Sequence, residues 1–415
     1  MRRLLNLDFT RVSLKFSQRE LFISESTETM FSKGNAGLSV RPNRNEIIPF
    51  PPFKKPQPIG YFSIVGGVLR EYEPNAQQLR YYRPPSAQKF PLDLNEGLSS
   101  AIKKPETVQE EGLDHLLKFI FDNRDHLTRS FPACEDKKCL VAEFVCWRGL
   151  LRLLMCTPYE YRGDWSIVVT RFNGTFYLWK RDTDSDKFQR SQETEQQRTF
   201  ASWGFKFEQH CLTESPFLEP DTSAPVDECS EFSCVFTTKI GSLDVLYGAE
   251  MDGIESEQPI LLDDNPTYLE KLKFVEVKVR QRNLNKNQIQ SYKRHKTRNW
   301  WCQSFLVGIQ DIYLGLRNEQ GQVERIEHVE VRSLPKQGIN EWTPNVCATF
   351  LIDFLNYVKS LMSEVNCPYT VYDFYFNSKR GTVTYEFLRG KNEYSFLPDY
   401  YIELMNPKNN SKNSK

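Results

Sequence analysis

Four times in this chain two extended runs are joined by a short turn, and that repetition constrains the fold more tightly than any motif. Residues 165–172 and 175–180 alternate apolar and polar side chains on either side of Asn173-Gly174, a dipeptide suited to the positive φ angles of a two-residue hairpin. Runs at 232–238 and 243–254 flank Ile240-Gly241-Ser242, runs at 312–317 and 323–331 flank a turn at 318–321, and runs at 369–376 and 381–388 close the series. Strands joined by so few residues run in opposite directions, so antiparallel pairing is expected. Helices are expected at 107–122, opened by the capping-box pattern Thr107-Val-Gln-Glu110, and at 141–155, with Trp147-Arg148-Gly149 in its middle. Two more are expected at 192–212 and 344–362, the last with Val346, Phe350, Phe354, Val358 and Leu361 on one stripe. A further strand is expected at 271–282. There is no regular strand–helix–strand alternation, which argues against a doubly wound sheet. The pattern predicts an α+β fold, one large domain with two mainly antiparallel or mixed sheets flanked by helices.

Such a domain needs a large core, and 39% hydrophobic residues with 13% aromatic supply it. Of the 415 residues, 1–55 read as a flexible polar and then proline-rich arm, 56–405 as the folded domain, and 406–415 as a polar tail. Basic and acidic residues balance at 54 each, so net charge points to no partner. The local distribution is uneven. Between 277 and 300 there are eight basic residues (Lys278, Arg280, Arg282, Lys286, Lys293, Arg294, Lys296 and Arg298) and no acidic one, while 250–270 holds seven acidic and no basic residues. Interleaved with Tyr292, Trp300 and Trp301, the basic stretch suits an RNA-facing rim, with a plain solvated loop as the alternative. The ten cysteines are scattered. Cys134 with Cys139 and Cys229 with Cys234 lack the tighter spacing and the histidines of a zinc site. With no secretory signal and no apolar run near about 18 residues, an intracellular chain with reduced thiols and no membrane span is expected. The Arg-rich first 18 residues read as an arm rather than a mitochondrial transit sequence.

The chemistry concentrates in two short stretches. In Phe-Val-Glu-Val-Lys-Val-Arg, residues 274 to 280, strand alternation places Glu276 and Lys278 on one face and the valines on the other. Taken alone this describes a solvated face over a valine core. In Tyr-Gly-Ala-Glu-Met-Asp-Gly-Ile, Glu250 and Asp252 are also two apart, and a close acidic pair is unfavourable unless a cation is shared. A strand end running into an acidic loop is the plainer explanation. Together the two strands, about 20 residues apart, form the acidic-pair and Glu-x-Lys arrangement of restriction-nuclease-like phosphodiesterases. Hydrolysis of a phosphodiester or pyrophosphate calls for hard Mg²⁺ or Mn²⁺ held by carboxylates, and two ions can activate water and neutralise phosphate charge together. Lys278 would stabilise the charged transition state or orient the water.

Across 59–404 the chain resembles the DXO and Rai family of eukaryotic RNA 5′-end hydrolases. The resemblance rests on Gln78-Leu-Arg-Tyr-Tyr-Arg-Pro-Pro85, Trp147-Arg-Gly149 with Thr157-Pro-Tyr159, Gly204-Phe-Lys-Phe-Glu-Gln209, Gly248-Ala-Glu-Met-Asp252, Glu276-Val-Lys278 and Trp301-Cys-Gln-Ser-Phe305, in that order. It implies a single domain around two sheets with a deep pocket. Glu208, Glu250, Asp252, Glu276 and the Val277 carbonyl would be metal ligands, Lys278 and Gln303 would contact the scissile phosphate and its water, and Arg148 would hold RNA phosphates. The catalytic set would then be Glu250, Asp252, Glu276, Lys278 and Gln303. Read from the residues alone, Glu208 is an exposed helical glutamate, Gln303 a core amide and His210 a structural or surface histidine, whereas Arg148, a guanidinium in apolar helical sequence, suits a phosphate partner, with a buried salt bridge as the alternative.

The activity implied is removal of incomplete, triphosphate or nicotinamide-dinucleotide caps in RNA 5′-end quality control, with 5′ to 3′ exoribonuclease action. The alternative is a member that lacks the exonuclease step and stabilises a large nuclear 5′–3′ exoribonuclease. A DNA-directed nuclease is a further alternative. A monomer binding RNA 5′ ends in the nucleus or cytoplasm is expected.

Overall fold

The computed structural model describes residues 32–33, 37–41, 48–131, 134–262 and 266–406, so most of the expected arm and tail lies outside the described residues. Two large sheets organise it. The first follows the order Ser32–Lys33, Thr382–Leu388, Cys367–Asn377, Trp165–Phe172, Thr175–Arg181, Phe144–Trp147, Leu243–Glu250, Glu231–Ile240, Gln57–Val65 and Glu71–Glu73, with Leu38–Ser39 also against Thr382–Leu388. The second follows Leu212–Thr213, Tyr81–Tyr82, Gly253–Ile254, Phe274–Gln281, Asp311–Arg317, Gln322–Glu330 and Leu92–Asp93. All four expected hairpins form antiparallel pairs. At the first, Asn173 and Gly174 take φ of 48° and 85°, the left-handed geometry that a type I′ turn requires.

Burial explains which faces meet. One face of the first sheet joins the main core, where Phe144, Tyr247 and Phe374 meet Leu151, Trp301 and Phe354 from the helices Arg148–Cys156, Thr297–Phe305 and Pro344–Leu361. The other face is covered by Leu116, Leu117, Phe119 and Ile120 of the helix Asp114–Asp122 and by Tyr401 and Ile402 of Asp399–Met405. The long helix Glu195–Cys211 lies on the second sheet, packing Trp203 and Phe207 against Val275 and Val277. Val275 and Val277 are 0% and 2% exposed, a burial that contributes about 1.5–3 kcal/mol each.

Four expectations need correction. The predicted helix at 141–155 is half strand, because Phe144–Trp147 enters the first sheet in parallel between Thr175–Arg181 and Leu243–Glu250 and the helix begins only at Arg148. The predicted strand at 243–254 breaks after Glu250, and its remainder, Gly253–Ile254, belongs to the other sheet. The capping-box residues 107–110 lie in a 3-10 segment, Glu106–Glu111, and Gly112 at φ 55° separates it from the α-helix. The predicted helix at 192–212 starts at Glu195, capped by the Thr194 side chain, after a separate helix Asp184–Ser191.

Candidate active site

The break after Glu250 builds the site. Glu250 closes a strand of the first sheet, Gly253 opens one in the second, and Met251-Asp252 crosses the seam between them. Gly253 pairs with Val275, bringing Asp252 against the strand that carries Glu276 and Lys278. The Val277 N–H donates to Asp252 Oδ2 at 2.8 Å. Glycine is required upstream, since a Cβ on Gly248 would stand 2.5 Å from Cζ3 of Trp147, its parallel neighbour.

Glu276 is 2% exposed and lies on the face of its strand opposite the buried valines, within reach of the helix Thr297–Phe305. The Lys278 ammonium pairs with its Oε1 and lies 3.5 Å from Asp252 Oδ2. Gln303, on Thr297–Phe305, donates through Nε2 to the same Glu276 oxygen at 2.5 Å, leaving its amide oxygen as an acceptor. Arg148, 8% exposed, donates to the Gln303 carbonyl at 3.3 Å and the Glu250 carbonyl at 3.1 Å. It makes no ion pair among the described residues, which removes the buried-salt-bridge alternative. Glu208 stands near the end of Glu195–Cys211, where Phe207 packs over Gly315 of the second sheet.

The electrostatics show a site short of positive charge. Burial and then the nearby Asp252 carboxylate raise the Glu208 carboxyl well above its usual range. Glu250 is pushed up to about 7 by burial and then by Glu231, and Asp252 to about 6 by burial and then by Glu276. Burial works against the Lys278 charge, but Asp252, Glu276 and Glu208 overcome it and raise its pKa. The donors are all hard oxygens, the set that Mg²⁺ or Mn²⁺ prefers, and an added cation would relieve their repulsion. No three His, Cys, Asp or Glu side chains among the described residues are yet gathered closely enough to hold an ion. The Lys278 ammonium instead supplies the counter-charge at Glu276 and Asp252. The hard-oxygen donor set and its mutual repulsion fit a divalent cation.

Two clefts share Glu250 in their lining. A cavity of about 1150 Å³ is lined by Arg148, Arg152, Lys278, Lys296, Gln303 and Glu250 among others. A second of about 520 Å³ reaches Glu208, Glu250 and Asp252 from the other side. Glu231 lines both and was not foreseen. It lies two positions before Ser233, the register partner of Glu250, and binds Lys104 at 2.5 Å and Arg70 at 3.0 Å. Burial opposes its charge, but those two cations outweigh it and hold the carboxyl below its usual range. A charged residue at a strand start carries no distinguishing mark in one dimension, so no sequence signal singled it out.

The expected basic rim is only partly realised. Residues 286–305 are helical rather than a loop, with a π-helical turn at Tyr292–Lys296. Arg282 pairs with Glu324, Arg294 with Glu341, and Arg298 is 1% exposed with its guanidinium carbon 5.5 Å from the Tyr159 ring centroid. Lys278, His295 and Lys296 do line the cavity. His210 accepts the structural reading, with Nε2 3.3 Å from the Asp93 carbonyl.

The model of the family described as RAI1 like PD-(D/E)XK nuclease matches residues 54–402. The decapping and exoribonuclease protein Rai1 of Drosophila melanogaster is 35% identical over 357 residues, covering 86% of this chain and 93% of that protein. The decapping and exoribonuclease protein of Homo sapiens is 31% identical over 363 residues, 86% of this chain and 87% of that protein. Protein cutoff of D. melanogaster is 29% identical over 371 residues, with 87% and 90% covered. The fold matches Candida albicans Rai1, solved in complex with pU5-Mn²⁺, at a TM-score of 0.72 and 16% identity, over 89% of this chain and 99% of that one.

Proposed function

Because the chain belongs to the Rai1-like family of PD-(D/E)XK nucleases, hydrolases that act on RNA, we propose that it removes incomplete, triphosphate or nicotinamide-type caps from RNA 5′ ends and then degrades the exposed strand 5′ to 3′. The observation that carries this reading is the seam itself, where Glu250, Asp252, Glu276 and Lys278 from two sheets converge with Gln303 beneath a cavity lined by cations. Glu208, Glu250, Asp252, Glu276 and the Val277 carbonyl would hold two Mg²⁺ or Mn²⁺ ions. When bound, the metal lowers the pKa of a water and neutralises charge on the phosphate.

The chain's own groups do the rest. Arg148, fixed by two backbone carbonyls, keeps its remaining N–H groups for a phosphate oxygen. Lys278 is held charged by its carboxylates and meets negative charge building on the scissile phosphate. Gln303, anchored on Glu276 through its N–H, turns its amide oxygen toward the attacking water and fixes its direction.

The test is a panel of RNAs bearing a triphosphate, an unmethylated cap, a nicotinamide cap or a 5′ monophosphate, incubated with Mg²⁺, Mn²⁺ or chelator. Products that vanish with chelator support the reading. Turnover of capped forms without trimming of the monophosphate would remove the exonuclease step and favour a partner of a nuclear exoribonuclease. Turnover of none of the four would overturn the hydrolase.

A further inference from the structure

Two of the seam carboxylates, Asp252 and Glu276, share the Lys278 ammonium. Glu250 has no such partner. Its backbone carbonyl receives Arg148, but its carboxylate makes no hydrogen bond or ion pair among the described residues. A second ammonium nevertheless stands close by. Burial works against the Lys104 charge, but Glu250 and then Glu231 overcome it and raise its pKa. The hydrogen bond of Lys104 goes to Glu231 instead, to Oε1 at 2.5 Å, and Lys104 has no other ion pair among the described residues.

Strand register brings the three groups together. Ser233 is the register partner of Glu250, so Glu231, two positions earlier in its strand, stands on the same face as Glu250 and diagonal to it. Both carboxylates line both clefts. Glu231 is also fixed from behind. Arg70 reaches the same Oε1 at 3.0 Å, is itself gripped by the two oxygens of Glu111 at 2.5 and 3.1 Å, and donates to the Cys229 carbonyl. Without the Glu231 charge Arg70 would keep Glu111, whereas the acid acting most strongly on Lys104 would be Glu250. An ammonium seated on Glu250 would oppose a divalent cation there.

We propose that Glu231 is a positioning residue that holds the Lys104 ammonium off Glu250 and so keeps the Glu250 carboxylate open to the divalent cation. In this role Glu231 touches neither the metal nor RNA. The proposal rests on the reading of Glu250 as a metal ligand.

The test titrates Mn²⁺ by calorimetry, at one pH, into the wild type, Glu250→Ala, Glu231→Gln, Lys104→Met and the Glu231→Gln, Lys104→Met double variant. Glu231→Gln should weaken Mn²⁺ binding about tenfold or more, the loss typical when a partner behind a metal ligand is removed. Lys104→Met alone should bind at least as tightly as the wild type, and in the Glu231→Gln background it should restore most of the lost affinity. A merely structural role for Glu231 would give no such repair. Unchanged affinity in Glu231→Gln would overturn the proposal. A double variant as weak as Glu231→Gln would overturn it too, and would make Glu231 a ligand or a structural residue. Weak binding in Glu250→Ala beside normal binding in Glu231→Gln would leave the metal site standing and remove only this role, while normal binding in Glu250→Ala would remove both.

Discussion

Adding one methyl group at Gly315 should misplace Glu208 through the helix that packs over it. A Cβ there would lie 2.6 Å from Phe207 Cζ, 2.7 Å from Cε2 and 3.0 Å from Cε1. Carbon atoms in contact prefer about 3.5–4.0 Å, so the ring must retreat by about 1 Å. Phe207 is 0% exposed among Trp203, Val275 and Val277, which leaves no space beside it. The helix Glu195–Cys211 must therefore lift, and Glu208 moves with it. Overpacking of this kind costs about 1–3 kcal/mol, and a 1 Å displacement of a reacting group costs on the order of 10²-fold in rate. Gly315→Ala is expected to lower the unfolding free energy by that amount, read as a lower urea midpoint at unchanged slope, and to cut kcat on a 5′-triphosphate RNA by about 10²-fold. Phe207→Leu removes the clashing ring atoms, so the double variant should be less impaired than the sum of the singles, with a coupling of about 1–2 kcal/mol. Full activity in Gly315→Ala, or strictly additive losses, would refute the link between this packing and the site.

Three further outcomes follow from single groups. Lys278→Met should reduce hydrolysis by about 10²-fold or more while Mn²⁺ affinity holds or tightens, since the ammonium no longer competes at Glu276 and Asp252; calorimetry beside a rate assay separates the two, and parallel loss of both would make Lys278 structural. His115 Nε2 donates to the Arg70 carbonyl at 2.9 Å, and burial holds the ring pKa below its usual value of about 6.5 despite Glu111. The fold therefore favours neutral His115: its contribution is full above about pH 6.5 and is lost as pH falls toward the lowered native value, a slope in urea stability that His115→Gln should flatten. Gly174→Ala places a side chain at φ 85° and should cost roughly 1–2 kcal/mol in denaturant unfolding, with an undiminished midpoint counting against the strained turn.

Period-2 alternation with a turn signal was enough to locate the hairpins, because each such strand has one face in the core and its turn chemistry is local. Phe144–Trp147 lacked that signal. Phe144, Val145 and Cys146 are 0%, 0% and 1% exposed, since a central strand is covered on both faces, and an unbroken apolar run reads equally as helix. The break after Glu250 was hidden for another reason. Leaving one sheet for the other depends on what Gly253 pairs with, and Val275 is 22 positions away. Glu250, Asp252, Glu276 and Lys278 stood out because their chemistry demands particular residue types at particular spacings, whereas Glu208 entered only through the family resemblance. Glu231, Lys104 and Arg152 were not, because they enter the site through strand register and helix packing rather than through a motif. Arg298 shows the converse: a charge run on the page can place a guanidinium inside the protein, here with Nε and Nη1 lacking hydrogen-bond partners among the described residues.

The central claim is that the carboxylates of the seam hold the divalent cation on which hydrolysis depends. Calorimetric titration of Mn²⁺ into the wild type and a Glu250→Ala, Asp252→Ala variant at pH 7 tests it most directly. With Glu250 near 7 and Asp252 near 6, part of the site is protonated before the metal arrives, so binding to the wild type should release protons, visible as a dependence of the heat on the buffer used. The account predicts tight binding with proton release in the wild type and loss of both in the variant. Equal Mn²⁺ affinity in the two proteins would contradict it.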